Sequence, residues 1–222
     1  LPDGVLRFSS AAEAGCNARI ALVAVKPQVF PQISRDIAAL LAEDAIVLSV
    51  MAGIHVESLQ SALAGRNIVR LMPNLAASLG KSPLGLFESE GDGPLRTGIE
   101  KLLAPLGTAV WIEDEALMDA VTALAGSGPA FVYRFIDALA KAGEALGLKP
   151  DIASTLAKAM VDGAVDLAMQ SDASPEELAR RVTSPGGTTA AGLVVLDGGL
   201  DKLITETLKA ARDRGIELSK PE

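Results

Sequence analysis

Residues 19–25 read RIALVAV, an uninterrupted apolar run that stops at Lys26-Pro27. A run of this length that ends at a proline is typical of a buried strand in a parallel sheet. Apolar residues then recur at helical spacing through residues 29–41, and a second apolar run, AIVLSV, occupies residues 45–50. A strand, a helix and another strand in this order predict a crossover unit with parallel strands.

The alternation of strands and helices continues to residue 113. Further strands are predicted at residues 67–72, 84–88 and 108–113, and helices at residues 55–64 and 95–103. Alternation of this kind is typical of an α/β fold with one parallel sheet. We therefore expect residues 1–114 to form an open α/β domain.

Ligands of such a sheet bind outside the carboxyl ends of its parallel strands. Three predicted strand ends therefore lie at one crevice: Val25-Lys26-Pro27, Val50-Met51-Ala52 and Met72-Pro73-Asn74. The ammonium group of Lys26 either faces a ligand there or is simply solvated, and the sequence supports both interpretations about equally.

The glycine fingerprint of a Rossmann dinucleotide domain, G-x-G-x-x-G after the first strand, does not occur in this sequence. The glycine pairs that do occur lie elsewhere, in a polar loop at Gly91-Asp92-Gly93 and in the helical half at Gly126-Ser127-Gly128. We therefore expect a Rossmann-like sheet that is N-terminally incomplete, with its first βαβ unit preceding Leu1.

From residue 115 onward the sequence predicts helices only. Helix starts are marked at Pro129, Pro150 and Ser174-Pro175, and the last helix is expected at residues 201–218. Small residues are dense in this half, which permits helices to approach closely. An all-α segment this short and apolar is expected to complete its core with a second copy of itself. Residues 115–222 are therefore predicted to form a helical dimerisation domain of a homodimer or higher homo-oligomer.

The loop between two of these helices, residues 182–189, reads VTSPGGTT. Pro185 blocks helix continuation, the two glycines that follow allow close backbone approach, and Thr188 and Thr189 are expected at the cap of the next helix. Free N–H groups at such a helix start suit a carboxylate or a phosphate. Taken alone, the same loop is also typical of a plain connector between helices.

Composition limits the classes of partner. The net charge of −8 argues against nucleic acid or an anionic membrane as the main partner. No apolar run reaches membrane-spanning length, and the sequence shows no signal peptide. The single cysteine, Cys16, excludes an internal disulfide framework and fits a reducing cytoplasm. We therefore expect a cytoplasmic protein.

Few side chains suggest metal or acid–base chemistry. His55 is the only histidine, and no potential ligands cluster around it in the sequence, so we expect a residue at a helix start and no metal site. A histidine-based nucleophilic triad is equally unsupported. Trp111 is expected to pack in the core or at a sheet edge, and the pair Asp114-Glu115 to satisfy the start of the next helix.

Several stretches, taken together, resemble pyrroline-5-carboxylate reductase. They are VAVKPQ at 23–28, SVMAG at 49–53, VRLMPN at 69–74, DAVTALAGSGPAF at 119–131 and VTSPGGTTAAGL at 182–193. The last two, in this order and at this separation, are highly specific. The resemblance implies an NAD(P)-binding Rossmann domain followed by a helical domain that interlaces with a partner subunit. It implies reduction of 1-pyrroline-5-carboxylate to L-proline with NADPH or NADH, the last step of proline biosynthesis.

The resemblance also implies roles for individual residues. The dinucleotide would be bound by Ala24, Val25, Lys26, Pro27, Val50, Met51, Ala52, Asn74 and Arg181. The substrate would be surrounded by Glu115, Ser184, Gly187, Thr188 and Thr189. Thr189 would hydrogen-bond the imine nitrogen as the catalytic residue, and the amides of Gly187 and Thr188 would hold the carboxylate.

The family pattern M-P-N-T-P-A is changed here to Met72-Pro73-Asn74-Leu75-Ala76-Ala77, which removes a hydroxyl and a proline. Two alternative functions are also considered. One is a Rossmann dehydrogenase of the hydroxyacid type, which relies on a catalytic lysine, although Lys141 and Lys158 lie on helical repeats without a supporting motif. The other is a non-catalytic helical dimer.

Overall fold

The computed structural model of this protein describes residues 4–14, 17–89 and 94–218. The chain forms two compact units, Leu1–Ser127 with Leu208–Glu222, and Gly128–Thr207. Cys16 and the predicted loop Gly91-Asp92-Gly93 lie outside the described residues. The domain boundary between residues 114 and 115 stays a prediction.

One five-stranded sheet, with strands in sequence order, forms the centre of the first unit. Its strands are β1 (Ala18–Val23), β2 (Leu41–Ser49), β3 (Asn67–Met72), β4 (Ser82–Glu88) and β5 (Gly107–Trp111). The helices among and before these strands are α1 (Ala11–Ala14), α2 (Phe30–Leu40), α3 (Val56–Ala62) and α4 (Pro94–Leu103). The predicted α/β fold class is therefore confirmed.

The sheet is not parallel throughout, which corrects one part of the predicted fold. β1, β2 and β3 are parallel, but β4 pairs with β3 in the antiparallel direction, and β5 is parallel to β4. The link from Met72 to Ser82 contains only a 3₁₀ turn, Leu75–Leu79. A parallel crossover needs about a dozen residues or more, so this link can only reverse the chain.

Helices cover both faces of the sheet, and each face has its own apolar core. On one face, α2 and α3 pack on β1, β2 and β3 through a cluster that includes Phe30, Val47, Leu59 and Ile68. On the other face, α4 packs on β2, β3 and β4 through a cluster that includes Leu48, Val69, Leu84 and Ile99. Residues of opposite parity in β2 therefore serve opposite cores, as the alternation of side chains along a strand requires.

Among the described residues, β1 has a strand neighbour on one side only. Ile20 and Leu22 are 50% and 59% exposed, and Val23 is buried at the end of the strand. β1 pairs only with β2 in the described sheet, and its Val23 face is the one that packs against the α2 core. The apolar composition of β1 therefore exceeds what the described chain buries.

From Glu115 onward the described residues form helices and turns without strands, as predicted. They comprise a 3₁₀ turn (Glu115–Leu117), α5 (Met118–Val121), a π-helical turn (Thr122–Gly126), α6 (Gly128–Ala145), α7 (Pro150–Gln170), α8 (Pro175–Arg181), α9 (Thr188–Asp197) and α10 (Leu200–Leu218). Ser174 caps α8 by accepting a hydrogen bond from the Glu177 amide, as its sequence predicts.

α6 and α7 pack closely because small residues face each other. A Cβ added to Gly143 would lie 3.3 Å from the Cβ of Ala153, so α7 would have to shift slightly to admit even an alanine there. In the unit Gly128–Thr207, Ala153 and Ala157 are the only buried residues described. This unit therefore has very little core of its own.

No helix among the described residues combines the length and the apolar composition that crossing a membrane requires.

Gly107→Ala is expected to lower the free energy of unfolding by about 2 kcal/mol or more. Gly107 has a φ of +144°, and a Cβ there would lie 2.0 Å from the carbonyl oxygen of Ser82. The matched control is Gly98→Ala in α4, where an added Cβ meets open space. That change is expected to raise the stability by about 0.5–1 kcal/mol. Urea unfolding measures both, and equal stabilities of the two variants would contradict this account of Gly107.

Candidate active site

The carboxyl ends of β1, β2 and β3 lie at one edge of the sheet, because these three strands are parallel. The residues that follow them, 24–27, 50–53 and 73–74, are therefore brought together there, as predicted. Exposed side chains at this edge are Ala24, Lys26 and Ala52, and half-buried ones are Val25, Pro27 and Val50. Met51 is 3% exposed and belongs to the core, so only its backbone is available at this edge.

Backbone hydrogen bonds shape these strand exits. The Val50 amide continues the sheet by donating to the Val23 carbonyl at 3.2 Å, and the Lys26 carbonyl accepts from the Val29 amide at 2.9 Å. Gly53, with a φ of +75°, turns the chain from β2 towards α3. A glycine suits this position because side chains disfavour that conformation.

Asn74 joins three parts of the same edge through its backbone and side chain. Its Oδ1 accepts from the backbone amide of Ala76 at 2.8 Å, and its own backbone amide donates to Ser82 Oγ at 2.9 Å. Its Nδ2 donates to the carbonyl of Ala125 in the π-helical turn, also at 2.9 Å. The carboxamide of Asn74 therefore holds the exit of β3 in place, and its position at the strand exit is the one predicted.

Glu115 does not satisfy the helix start beside it, contrary to the simplest interpretation of the pair Asp114-Glu115. Asp114 does so alone, since its Oδ1 accepts from the Ala116 amide at 2.9 Å. Glu115 Oε1 instead accepts from the Val56 amide at 2.7 Å and from Arg70 Nη1 at 2.8 Å. The carboxylate thus connects β3, α3 and the first turn after β5.

Arg70 is a residue that the sequence interpretation missed. Its side chain is 4% exposed and forms an ion pair with Glu115. A signal was present, because Arg70 is the one charged residue in the otherwise apolar strand NIVRLM. Buried charges are usually paired, so such an arginine predicts a carboxylate nearby, although not which one.

The loop of residues 182–189 contains a tight turn from Ser184 to Gly187. The Gly187 amide donates to the Ser184 carbonyl at 3.0 Å, and Gly186 has a φ of +69°. Proline at the second position and a left-handed glycine at the third are the pattern of a type II turn. A Cβ on Gly187 would lie 2.4 Å from Ser184 Oγ, so a side chain there would displace the serine hydroxyl.

The threonines of this loop lie one position further into α9 than predicted. Gly187 is the residue that caps α9, and Thr188 and Thr189 are the first two residues of the helix. No side chain caps this helix start. The Gly187 amide is already bonded to Ser184, so it is not free to hold a carboxylate as predicted. The first amides free of that turn are those of Thr188 and Thr189, and both residues are exposed.

Other polar side chains near the loop donate hydrogen bonds back to α8. Arg181 Nε donates to Glu177 Oε1 at 3.1 Å, with 59% of its side chain exposed. Thr183 Oγ1 donates to the Ala179 carbonyl at 2.6 Å. Arg181 and Ser184 are both exposed. Their roles in binding stay predictions.

The structure shows the surroundings of His55 and Trp111 and tests for a metal site. His55 precedes α3, and its Nδ1 lies 3.6 Å from Glu115 Oε2. The described residues contain no group of histidine, cysteine or acidic side chains that could hold a metal ion. Trp111 Nε1 donates to Glu100 Oε1 at 2.7 Å.

Lys141, considered for the hydroxyacid alternative, forms a surface ion pair. Its Nζ donates to Asp137 Oδ2 at 2.9 Å, one helical turn away. This hydrogen bond holds the pKa of the Asp137 carboxyl below its ordinary value. An exposed lysine that is paired with a carboxylate one helical turn away is typical of a solvated helix surface.

Residues 115–218 match the family model for pyrroline-5-carboxylate reductase dimerisation. The chain is 38% identical over 213 residues to the pyrroline-5-carboxylate reductase of Pseudomonas aeruginosa, covering 95% of this chain and 78% of that protein. It is 37% identical over 221 residues to the enzyme of Pisum sativum, covering 97% and 80%. The chain belongs to the pyrroline-5-carboxylate reductase family.

Solved structures of this family share the fold. The pyrroline-5-carboxylate reductase of Coxiella burnetii matches with a TM-score of 0.91 at 33% identity, covering 98% of this chain and 82% of that one. The Plasmodium falciparum enzyme, solved with NADP bound, matches with a TM-score of 0.83 at 26% identity, covering 96% and 82%. The resemblance read from the sequence motifs is therefore confirmed.

The helical half of this chain has the surface of a dimerisation domain. α9 is apolar along most of its length, yet Val194 and Val195 are 77% and 81% exposed. No residue of α6, α8 or α9 is buried within the single chain. Apolar surface of this extent marks an interface, and the family match identifies its occupant as a second copy.

Val195→Asp is expected to convert the dimer to a monomer, because a charge would be buried without a partner in the subunit interface. Light scattering at micromolar concentration measures the mass of each variant. The control is Thr97→Asp, which adds the same charge to the exposed face of α4. A Val195→Asp protein that stays dimeric would show that α9 is not in the interface.

Proposed function

We propose that this protein reduces 1-pyrroline-5-carboxylate to L-proline with NADPH or NADH, as a homo-oligomer in the cytoplasm. The observation that carries this function is the start of α9, where two exposed threonines follow a proline–glycine turn in a member of this family. The cytoplasmic location is supported by the single cysteine of the sequence.

The substrate is a cyclic imine that carries a carboxylate, and the α9 start offers a group for each feature. α9 spans Thr188–Asp197, and the amides of its first turn have no side-chain cap. Such a helix start attracts an anion through its N–H groups and its dipole. We assign the carboxylate to the Thr188 and Thr189 amides, and Gly187 to shaping the turn.

The hydroxyl of Thr189 is assigned to the ring nitrogen of the imine. A threonine hydroxyl can accept a hydrogen bond from a protonated imine and donate one to the product amine. A reduced nicotinamide dinucleotide, held by the residues at the carboxyl edge of the sheet, would supply the hydride that converts the protonated C=N bond to a secondary amine, and it would itself be oxidised. The proposed reaction requires no nucleophile, so a hydroxyl and backbone amides are sufficient in this loop.

The residues at the carboxyl edge of the sheet fit a dinucleotide. Ala24 and Ala52 are small and exposed, so the backbone there can be approached closely. The exposed ammonium group of Lys26 suits an anionic phosphate, and Val25 and Val50 offer apolar surface. Binding outside the carboxyl ends of parallel strands is the general rule for sheets of this kind. Pro27, Met51, Asn74 and Arg181 complete the proposed cofactor set.

Thr189→Ala is expected to lower kcat/KM for the imine by about ten- to a hundredfold, the value of one hydrogen bond to a charged group. Thr189→Ser should keep most of the activity because it keeps the hydroxyl. Dinucleotide affinity should change little in either variant. Steady-state kinetics on the full-length protein measure these values, with Thr97→Ala on α4 as the control. Unchanged turnover by Thr189→Ala would show that the loop is a connector only.

Lys26→Glu is expected to weaken dinucleotide binding by about tenfold or more, because it replaces attraction to a phosphate with repulsion. A fluorescence titration with NADPH and NADH measures the affinities, and the KM for the imine should be unaffected. Lys101→Glu is the matched control, since Lys101 is exposed on α4 and belongs to none of the three strand exits. Equal affinities in the two variants would remove Lys26 from the cofactor site.

A further inference from the structure

We propose that Glu115 is a positioning residue for the dinucleotide, acting through Arg70 and the start of α3, and not a substrate contact. The inference rests on the proposed function, and it changes the role that the family resemblance implies for Glu115. It follows from three observations: the burial of Arg70, the double use of one carboxylate oxygen, and the place of Val56 in the chain.

The first observation is that the guanidinium of Arg70 is buried at a fixed position. Its side chain is 4% exposed, and among the described residues its ion-pair partner is Glu115. Arg70 lies within β3, paired with Ser49 of β2 and Phe87 of β4. Its backbone is therefore held from both sides, and the carboxylate that binds it is held at the same place.

The second observation is that Glu115 Oε1 accepts from two donors at once. The Arg70 guanidinium and the Val56 amide bind this oxygen at 2.8 Å and 2.7 Å. Glu115 Oε2 lies 3.6 Å from His55 Nδ1. Both acceptor sites of Oε1 are therefore taken by protein donors, and only 21% of the Glu115 side chain is exposed.

The third observation is that Val56 begins α3 directly after the exit of β2. The chain runs from Ser49 at the end of β2 through Ala52 and Gly53 to Val56. One end of this segment is fixed by the sheet, and the other end is fixed by the Glu115 carboxylate. Glu115 therefore holds the exit loop of β2, which is part of the proposed dinucleotide edge.

These contacts predict whether dinucleotide affinity or the KM for the imine depends on Glu115. Without the carboxylate, the start of α3 loses its acceptor and Arg70 loses its counter-charge, whereas β3 keeps its strand partners, so the exit loop of β2 is released. Dinucleotide affinity should therefore fall, whereas the KM for the imine should change little. A substrate contact would give the opposite pattern.

The test compares Glu115→Gln and Glu115→Ala in the full-length protein. The glutamine keeps an oxygen for the Val56 amide but loses the charge for Arg70, and the alanine loses both. Glu115→Ala is expected to raise the Kd for NADPH by about tenfold or more, Glu115→Gln by less, and neither should raise the KM for the imine more than about twofold. The control is Asp44→Asn, which removes an exposed ion pair with Arg19 and should change neither constant.

A second measurement needs no cofactor and covers the case of a poorly active variant. Hydrogen exchange of the Val56 amide should be faster in Glu115→Ala than in the unmodified protein and nearly unchanged in Glu115→Gln. The amide of Gly65, bonded to the Gln60 carbonyl at 2.8 Å beyond the other end of α3, serves as the internal reference. Faster exchange at both amides would indicate general loosening and overturn the inference.

Two further results would overturn the positioning role while leaving the proposed function intact. One is a rise in the KM for the imine with unchanged NADPH affinity in Glu115→Ala. The other is unchanged exchange at Val56. Failure of the proposed function is recognised separately, since it would appear as absence of imine reduction by the unmodified protein.

Discussion

The buried guanidinium of Arg70 is the constraint on which much of the sheet half depends. A cation in the interior is costly unless a carboxylate neutralises it, and the carboxylate must then come from a part of the chain that packs on the same face. Glu115 meets this need from the first turn after β5. The pair thereby fixes where the chain leaves the sheet, and the second hydrogen bond of Glu115 fixes where α3 begins. One electrostatic requirement thus connects residues that are far apart in sequence.

The two compact units bury their apolar side chains to different extents. The sheet half covers both of its faces with helices and buries Val47, Leu59, Val69 and Leu84 almost completely. The unit Gly128–Thr207 leaves most of its apolar side chains exposed within one chain. Its stability therefore depends on a second copy, so folding of the helical half and association of subunits are coupled.

The chemistry of the family needs few special side chains, and this chain has few. Imine reduction requires that a carboxylate and a ring nitrogen be held in a fixed orientation, which backbone amides and one hydroxyl can do. The turn at Ser184–Gly187 provides the backbone geometry, and Thr188 and Thr189 provide amides and hydroxyls. A single histidine and a single cysteine are therefore no obstacle to the proposed reaction.

The sequence by itself determined the element types, the family and the grouping of the strand exits, because hydrophobic period, helix caps and motifs are local signals. β3 is found at residues 67–72 as predicted, and Ser174 caps α8 as predicted. Only the tertiary structure decided the antiparallel direction of β4, the hydrogen bond that engages the Gly187 amide and the partner of Glu115. Strand direction depends on which neighbours and links exist in space, and a carboxylate binds whichever cation the fold brings to it. A charged residue within an apolar strand indicates that an oppositely charged partner lies nearby in the fold. The sequence does not indicate which residue that partner is.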